Sequence, residues 1–246
     1  MKIGTIILCR YSSSRLPGKI LRDIEGKTPL QYLYEKFAKC IPEEELLVAT
    51  STDSSDDIIE EFCVAHGYNC FRGSLDNVSL RFLEAAQSRD FDYAIRINGD
   101  ALFLDIPTYL EMIELCRAGD YDFVSNVKGR SFPFGMSVEI VKTDFYQSLQ
   151  EKIQANPRYV EHVTLYLYEH PLEGKQYHHL NTVCPELSGL QIALDEAQDL
   201  ALAKRVMTKL KEDYYHCDLK QFRQVIETIR SEYQLEGKEW PFYKNI

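Results

Sequence analysis

The strongest constraint on this chain is a repeated alternation in which a short apolar, β-branched run is followed by a polar loop and then by apolar residues at helical spacing. Lys2–Leu8 reads as a buried strand, Arg10–Lys19 as a polar loop, and Pro29–Cys40 as a helix with Leu30, Leu33, Tyr34 and Phe37 on one face. The pattern continues with Leu46–Thr50 as strand, Ser54–His66 as helix, Asn69–Arg72 as strand, Asp76–Ser88 as helix and Tyr93–Ile97 as strand. Parallel neighbours need a crossover, and the helix that makes it also covers the sheet. The alternation therefore predicts an α/β fold, a mostly parallel sheet with helices on both faces.

Beyond the Asn98–Asp105 loop the sequence reads as a helix through Arg117, then apolar stretches Phe123–Ser125 and Val138–Val141 around the Gly/Pro-bearing segment Lys128–Gly135. A helix at Arg158–Glu169, a Tyr/His-rich strand at Gln176–Val183, a strand at Leu190–Leu194 and a helix at Glu196–Lys211 follow. The tail Leu219–Leu235 is helical in pattern, and its Phe222, Val225, Ile226 and Ile229 suit either an intrachain groove or a second subunit, a homodimer being the symmetric default. No repeat, linker or compositional break divides the chain. With 246 residues, 45% hydrophobic and 12% aromatic, it can bury one substantial core. A single domain over 1–246 is expected, with 213–246 as a C-terminal helical extension.

Composition narrows the function. The seven cysteines are odd in number, dispersed and never spaced as CxxC, so neither a disulfide framework nor a zinc site is indicated. A formal net charge of −10 argues against a nucleic-acid surface, which needs clustered Lys and Arg to neutralise phosphates. Any anionic ligand must then meet a locally basic pocket. No apolar run approaches the roughly eighteen residues of a membrane span, and Met1–Arg10 lacks a signal-peptide pattern; the expectation is a cytoplasmic protein without a membrane partner.

The loop Arg10-Tyr-Ser-Ser-Ser-Arg15-Leu-Pro-Gly18-Lys19 sits directly after the first strand. In open α/β sheets ligands collect outside the carboxyl ends of strands, where loop amides and cations can hold phosphate. Two guanidiniums, an ammonium and small residues there have the composition of a triphosphate site. It is not a Walker A loop, because Ser13 occupies the first glycine position and Ile20 follows Lys19. Taken alone it reads equally as a solvated loop with a Pro17-Gly18 turn.

The run Arg10, Ser13, Arg15-Leu-Pro-Gly-Lys19 resembles the opening of the cytidylyltransferases related to the spore-coat polysaccharide enzymes and, more distantly, to the sialic-acid and 3-deoxy-octulosonate cytidylyltransferases. The likeness continues through Phe71–Val78, Arg96–Asp100, Ser125-Asn126, Glu161–Thr164 and Leu194–Leu200, and spans about Ile3 to Ala203. It implies a Rossmann-like nucleotidyltransferase fold. It also implies transfer of CMP from CTP, with release of pyrophosphate, to a small acidic sugar or a phosphorylated or phosphonate acceptor. Arg10, Arg15 and Lys19 would carry the charge of the reacting phosphates, and Cys9, Ser12, Ser13, Arg72, Asp76, Gly99 and Asp100 would join them around the nucleotide.

Asp100 follows an apolar strand and a glycine, so its carboxylate can project into the cleft of the first loop, as magnesium binding requires. Asp195 precedes a helix and by itself reads first as its N-cap; by resemblance the two form the Mg2+ pair. Asn126, Lys128, Arg130, Glu139 and His162 are candidates for the acceptor, although Glu139 could simply face solvent on an edge strand and His162 could be a packing residue. Asp105 reads as a helix cap, Asp53–Asp57 as a solvated helix start, Lys142 as a surface charge and His178-His179 as structural.

Three departures from the family pattern, Ser12 for a common glycine, Ala101 for a common cysteine and Ser137 for an acidic residue, point to an acceptor smaller than a nine-carbon sugar acid. Two rival readings are a nucleotide-sugar-dependent glycosyltransferase and a non-catalytic nucleotide-binding protein. The first would normally carry Asp-x-Asp where this chain has Asn98-Gly99-Asp100; the second is opposed by the complete basic loop and both carboxylates.

Overall fold

The computed structural model describes residues 1–13 and 15–244; Ser14 of the first loop and the last two positions of the expected extension lie outside the described residues. The chain runs β1 (Ile3–Leu8), α1 (Pro29–Ala38), β2 (Leu46–Ser51), α2 (Asp57–His66), β3 (Cys70–Gly73), α3 (Val78–Gln87), β4 (Tyr93–Asn98) and α4 (Ile106–Gly119). Then come β5 (Phe123–Ser125), β6 (Glu139–Lys142), α5 (Thr143–Ser148), α6 (Gln150–Gln154), α7 (Pro157–Glu161), α8 (Leu165–Glu169), β7 (Gln176–His178), α9 (Ala197–Leu210) and α10 (Leu219–Leu235). The strands form one seven-stranded sheet in the order β3-β2-β1-β4-β6-β5-β7. Only β6 runs against its neighbours, so the sheet is mostly parallel, as the alternation predicts.

Both faces of the sheet are covered because alternate strand residues point to opposite sides and both sets are apolar. Ile3, Ile7, Val48, Ile95 and Ile97 join one core with residues of α1, α4, α9 and α10. Ile6, Leu8, Leu47, Ala49 and Ala94 join the other, with α3, α5 and the α7–α8 region. In α10, Phe222, Ile226 and Ile229 are buried within the chain and Val225 packs against the same core, which answers the intrachain half of the expectation.

Helix starts follow their caps. Thr28 accepts from Gln31 N (3.1 Å) before Pro29, and Asn77 accepts from Leu80 N (2.9 Å). Asp105 accepts from Thr108 N (2.9 Å), as expected, and also from Leu219 N (2.9 Å), so one carboxylate starts α4 and anchors α10. Among the described residues no helix is long and apolar enough to cross a membrane.

Four expected elements differ. The helix expected over Arg158–Glu169 breaks at His162–Thr164, because the Thr164 hydroxyl turns inward to Glu139 (2.5 Å) and Val163 O accepts from Tyr146 OH (2.7 Å). The strand expected to reach Val183 stops at His178, where Asn181 instead bonds Ser131 O and Cys184 O. Leu190–Leu194 makes only isolated bridges, Gln191 to Phe134 and Leu190 to Tyr243. The acidic run Asp53–Asp57 is not wholly solvated: Asp56 is 0% exposed and accepts from Tyr11 N (2.6 Å) and Ser51 Oγ (2.5 Å).

Candidate active site

The central strands β1 and β4 pair in parallel with Leu8 opposite Asn98, so the loops that follow them emerge side by side at the carboxyl edge. Gly99 is required by this approach: a Cβ there would lie 2.7 Å from Cys9 Cβ and 2.9 Å from Ile20 Cδ1. The first loop is pinned at both ends. Tyr11 N donates to Asp56, Gly18 N donates to Tyr11 O (3.0 Å), and Gly18 turns the chain with φ +67°, a conformation that favours glycine.

This edge opens into a cleft of about 330 Å³ lined by Cys9, Arg10, Ser12, Ser13, Arg15 and Lys19 from the first loop, by Gly99, Asp100 and Asp195, and by Arg81, Arg96 and His162. Its lining carries five cationic side chains (Arg10, Arg15, Lys19, Arg81, Arg96) against three carboxylates (Asp100, Glu161, Asp195), so a chain with net charge −10 presents a locally basic cleft. Burial pushes the Cys9 thiol far up, which makes it a neutral wall rather than a nucleophile.

Lys19 Nζ lies 2.7 Å from Asp100 Oδ2 and 3.5 Å from Asp195 Oδ1, and Arg15 lies 3.0 Å from the same Asp195 oxygen. The two carboxylates thus converge on one cation. Leu194 N donates to Asp100 O (3.3 Å), which fixes the two segments side by side. Asp195 is not the helix cap. Glu196 caps α9, in a capping box with Asp199, whose Oδ2 also accepts from Asp195 N (3.0 Å), leaving the Asp195 carboxylate for the cleft.

A second cleft of about 680 Å³ adjoins the first and shares Arg96, Asn98 and His162 with it. Lys128, Arg130 and Arg158 line it, with Ser137, Glu139 and His178. Among the described residues Lys128 and Arg130 have no carboxylate partner; Arg130 lies 4.8 Å over the Phe134 ring, and Arg158 pairs with Glu169 (3.0 Å). His178 has a buried Nδ1 with no hydrogen-bond partner among the described residues, and burial, with help from Lys128, lowers its pKa.

Glu139 is 2% exposed, not a solvent-facing edge residue. It is paired with Arg96 and accepts from Thr164 (2.5 Å) and Tyr168 (2.6 Å). Burial opposes its charge, but the Arg96 guanidinium and these hydrogen bonds outweigh burial and hold its pKa below the ordinary glutamate value.

Three expected site residues lie elsewhere. Arg72 turns away from the nucleotide cleft: it donates to Ser51 O (2.8 Å) and Asp53 O (3.0 Å) and pairs with Asp57 (2.6 Å) and Glu60 (2.7 Å), which sit one helical turn apart. Asp76 is exposed and lines neither cleft. Asn126 is buried and clamps Met136 O (2.9 Å) and Val138 N (2.8 Å), a backbone staple beneath the acceptor-side cleft. Conversely, Arg81 lines the first cleft without having been singled out; Arg96, noted only within the family-like run, lines both clefts, His178, read as structural, lines the second, and Asp56, read as part of a solvated run, holds the first loop. Arg81 was detectable in principle, as an arginine on the otherwise apolar face of α3 that carries Phe82, Ala85 and Ala86.

The profile of the cytidylyltransferase family matches residues 5–239. The spore coat polysaccharide biosynthesis protein SpsF of Bacillus subtilis is 31% identical over 173 residues, covering 68% of this chain and 70% of that protein. A 3-deoxy-manno-octulosonate cytidylyltransferase of Hydrogenovibrio crunogenus is 31% identical over 145 residues, 57% of each chain. A cytidylyltransferase structure from Leptospira borgpetersenii superposes with a TM-score of 0.83 at 26% identity, covering 99% of this chain and 100% of that one. With the basic loop, the paired carboxylates and the fold in place, the chain belongs to the cytidylyltransferase family and is a CTP-dependent nucleotidyltransferase.

Proposed function

We propose that the enzyme transfers CMP from CTP to a small acceptor bearing a carboxylate, phosphate or phosphonate group, releasing pyrophosphate. The observation that carries this reading is the pair of adjoining clefts with a common wall of Arg96, Asn98 and His162. CTP occupies the first cleft, with its phosphates at Arg10, Arg15 and Lys19, and the acceptor occupies the second, with its anionic group at Lys128 and Arg130. An acceptor hydroxyl oxygen attacks the α-phosphorus, the bond from that phosphorus to the β-phosphate oxygen breaks, and pyrophosphate leaves with the bonding electrons. His162, which lines both clefts, takes the hydroxyl proton in this reading. Arg10, Arg15 and Lys19 stabilise the charge that gathers on the leaving group.

Asp100 and Asp195 fit a magnesium ion by their donor chemistry: two carboxylates already converge on a cation, the Lys19 ammonium. A magnesium ion takes one or two protein carboxylates and completes its shell with phosphate and water. When bound, the ion would supply charge stabilisation to the phosphates. Ser137, on the acceptor-side cleft, stands where the family pattern carries an acid, and its neutral hydroxyl favours a more highly charged acceptor such as a small phosphorylated acid.

The test is pyrophosphate release from each of the four nucleoside triphosphates with magnesium, against sugar acids and small phosphorylated acids. Release with CTP and one small anionic acceptor is expected. Turnover of nine-carbon sugar acids alone would overturn the acceptor assignment, and no release with CTP across the panel would overturn the reaction.

A further inference from the structure

The family match ends at residue 239, yet the chain continues back to the active site. After α10 the tail turns so that Phe242 is buried, its ring packed edge-on against Trp240 (centroids 5.0 Å apart) and Tyr233 (6.0 Å). The tail then pairs with the segment that leads into Asp195: Gln191 N donates to Phe242 O (2.7 Å) and Lys244 N donates to Gly189 O (2.9 Å). This pairing delivers Lys244 to the far side of the Asp195 carboxylate. Its Nζ lies 3.7 Å from Asp195 Oδ2 and 5.2 Å from the centre of the Phe134 ring. Gln191 Nε2 approaches the same oxygen at 3.4 Å.

Asp195 is therefore surrounded by three cations from two directions, Arg15 and Lys19 on Oδ1 and Lys244 on Oδ2. The first two are phosphate groups' natural partners and can be drawn off by a triphosphate. Lys244 sits on the opposite oxygen and does not line the nucleotide cleft, so it stays when the nucleotide arrives. We propose that Lys244 is a positioning residue of the active site, a tail-borne cation that tempers the Asp195 carboxylate so that a divalent cation loads poorly until the triphosphate is present. The proposal rests on the reading of Asp195 as a metal carboxylate. It adds a function for a segment that lies beyond the family match.

The measurement is direct Mn2+ binding to the full-length, nucleotide-free enzyme, followed through the electron paramagnetic resonance signal of free Mn2+. Lys244→Gln removes the charge at a side chain that is 45% exposed, and leaves the buried Phe242 anchor in place. Removing a unit charge that lies 3.7 Å from the Asp195 carboxylate, in a partly solvated setting, predicts Mn2+ binding on the order of three- to tenfold tighter. Lys244→Arg should restore the wild-type value, and thermal melting should not change in either variant. Mn2+ affinity of Lys244→Gln equal to or weaker than wild type would overturn the proposal. Asp195→Asn separates the two levels of the argument: it should weaken Mn2+ binding, and wild-type binding by that variant would remove the metal reading itself.

Discussion

Replacing Glu139 by Gln tests the support beneath both clefts. The carboxylate joins β6 to Arg96 of β4 and to Thr164 and Tyr168, so it ties the sheet to the segment that carries His162. An amide has nearly the same shape but offers one acceptor and one donor where three donors now converge, and it leaves the Arg96 guanidinium without its counter-charge. Breaking a buried ion pair by removing one partner costs about 3–5 kcal/mol, against a total stability of about 5–15 kcal/mol for a typical domain. Urea unfolding followed by circular dichroism at neutral pH should show that loss with an unchanged slope. The pH dependence has a definite sign. Because the folded-state pKa of Glu139 is depressed, its contribution is complete above the ordinary glutamate range and is lost as pH falls through the depressed value. The gap between wild type and variant should therefore stay constant around neutrality and narrow only in acid. A loss below about 1 kcal/mol at unchanged slope, or a gap that narrows near neutral pH, would refute the reasoning.

Lys19→Met should lower kcat/KM for pyrophosphate release by about 10²–10³-fold, since it removes a cation from the phosphates and the one ammonium that Asp100 and Asp195 share. Asp100→Asn should lose on the order of a hundredfold in activity and alter the magnesium dependence; full activity with normal dependence would end the metal assignment. Arg130→Ala should raise KM for the acceptor about tenfold with KM for CTP unchanged, which steady-state kinetics with each substrate varied in turn would resolve. Arg72→Ala should leave KM for CTP within about twofold while costing about 1 kcal/mol in urea unfolding, because its partners are Asp57, Glu60 and two carbonyls of its own fold.

The parallel sheet was legible because its inner strands β1 and β2 are buried along their whole length and read as apolar runs, while the crossovers carry helical spacing and local caps. Elements decided by distant partners were not legible. Nothing near Thr164 in the sequence announces that its hydroxyl will turn inward to Glu139, so the break that exposes His162 to both clefts looked like continuous helix. The same holds for the Leu190–Leu194 segment, whose backbone groups are satisfied by Phe134 and Phe242 from remote parts of the chain.

The site divides along the same line. Arg10, Arg15 and Lys19 share one loop, and a loop after the first strand of such a sheet must open at its carboxyl edge; local sequence and topology together suffice. Arg72 shows where that logic fails: it also ends a strand at that edge, but the first turn of α2 presents Asp57 and Glu60 to it, and two fixed carboxylates outcompete an absent ligand for a guanidinium. Arg96 fails in the other sense. It interrupts an otherwise apolar strand, and the antiparallel neighbour places Glu139 directly opposite in register, so that Arg96 lines both clefts while its buried partner lines the acceptor-side one. A charged residue in a central strand is therefore best interpreted through the residue that faces it across the ladder, since only a partner there makes its burial tolerable.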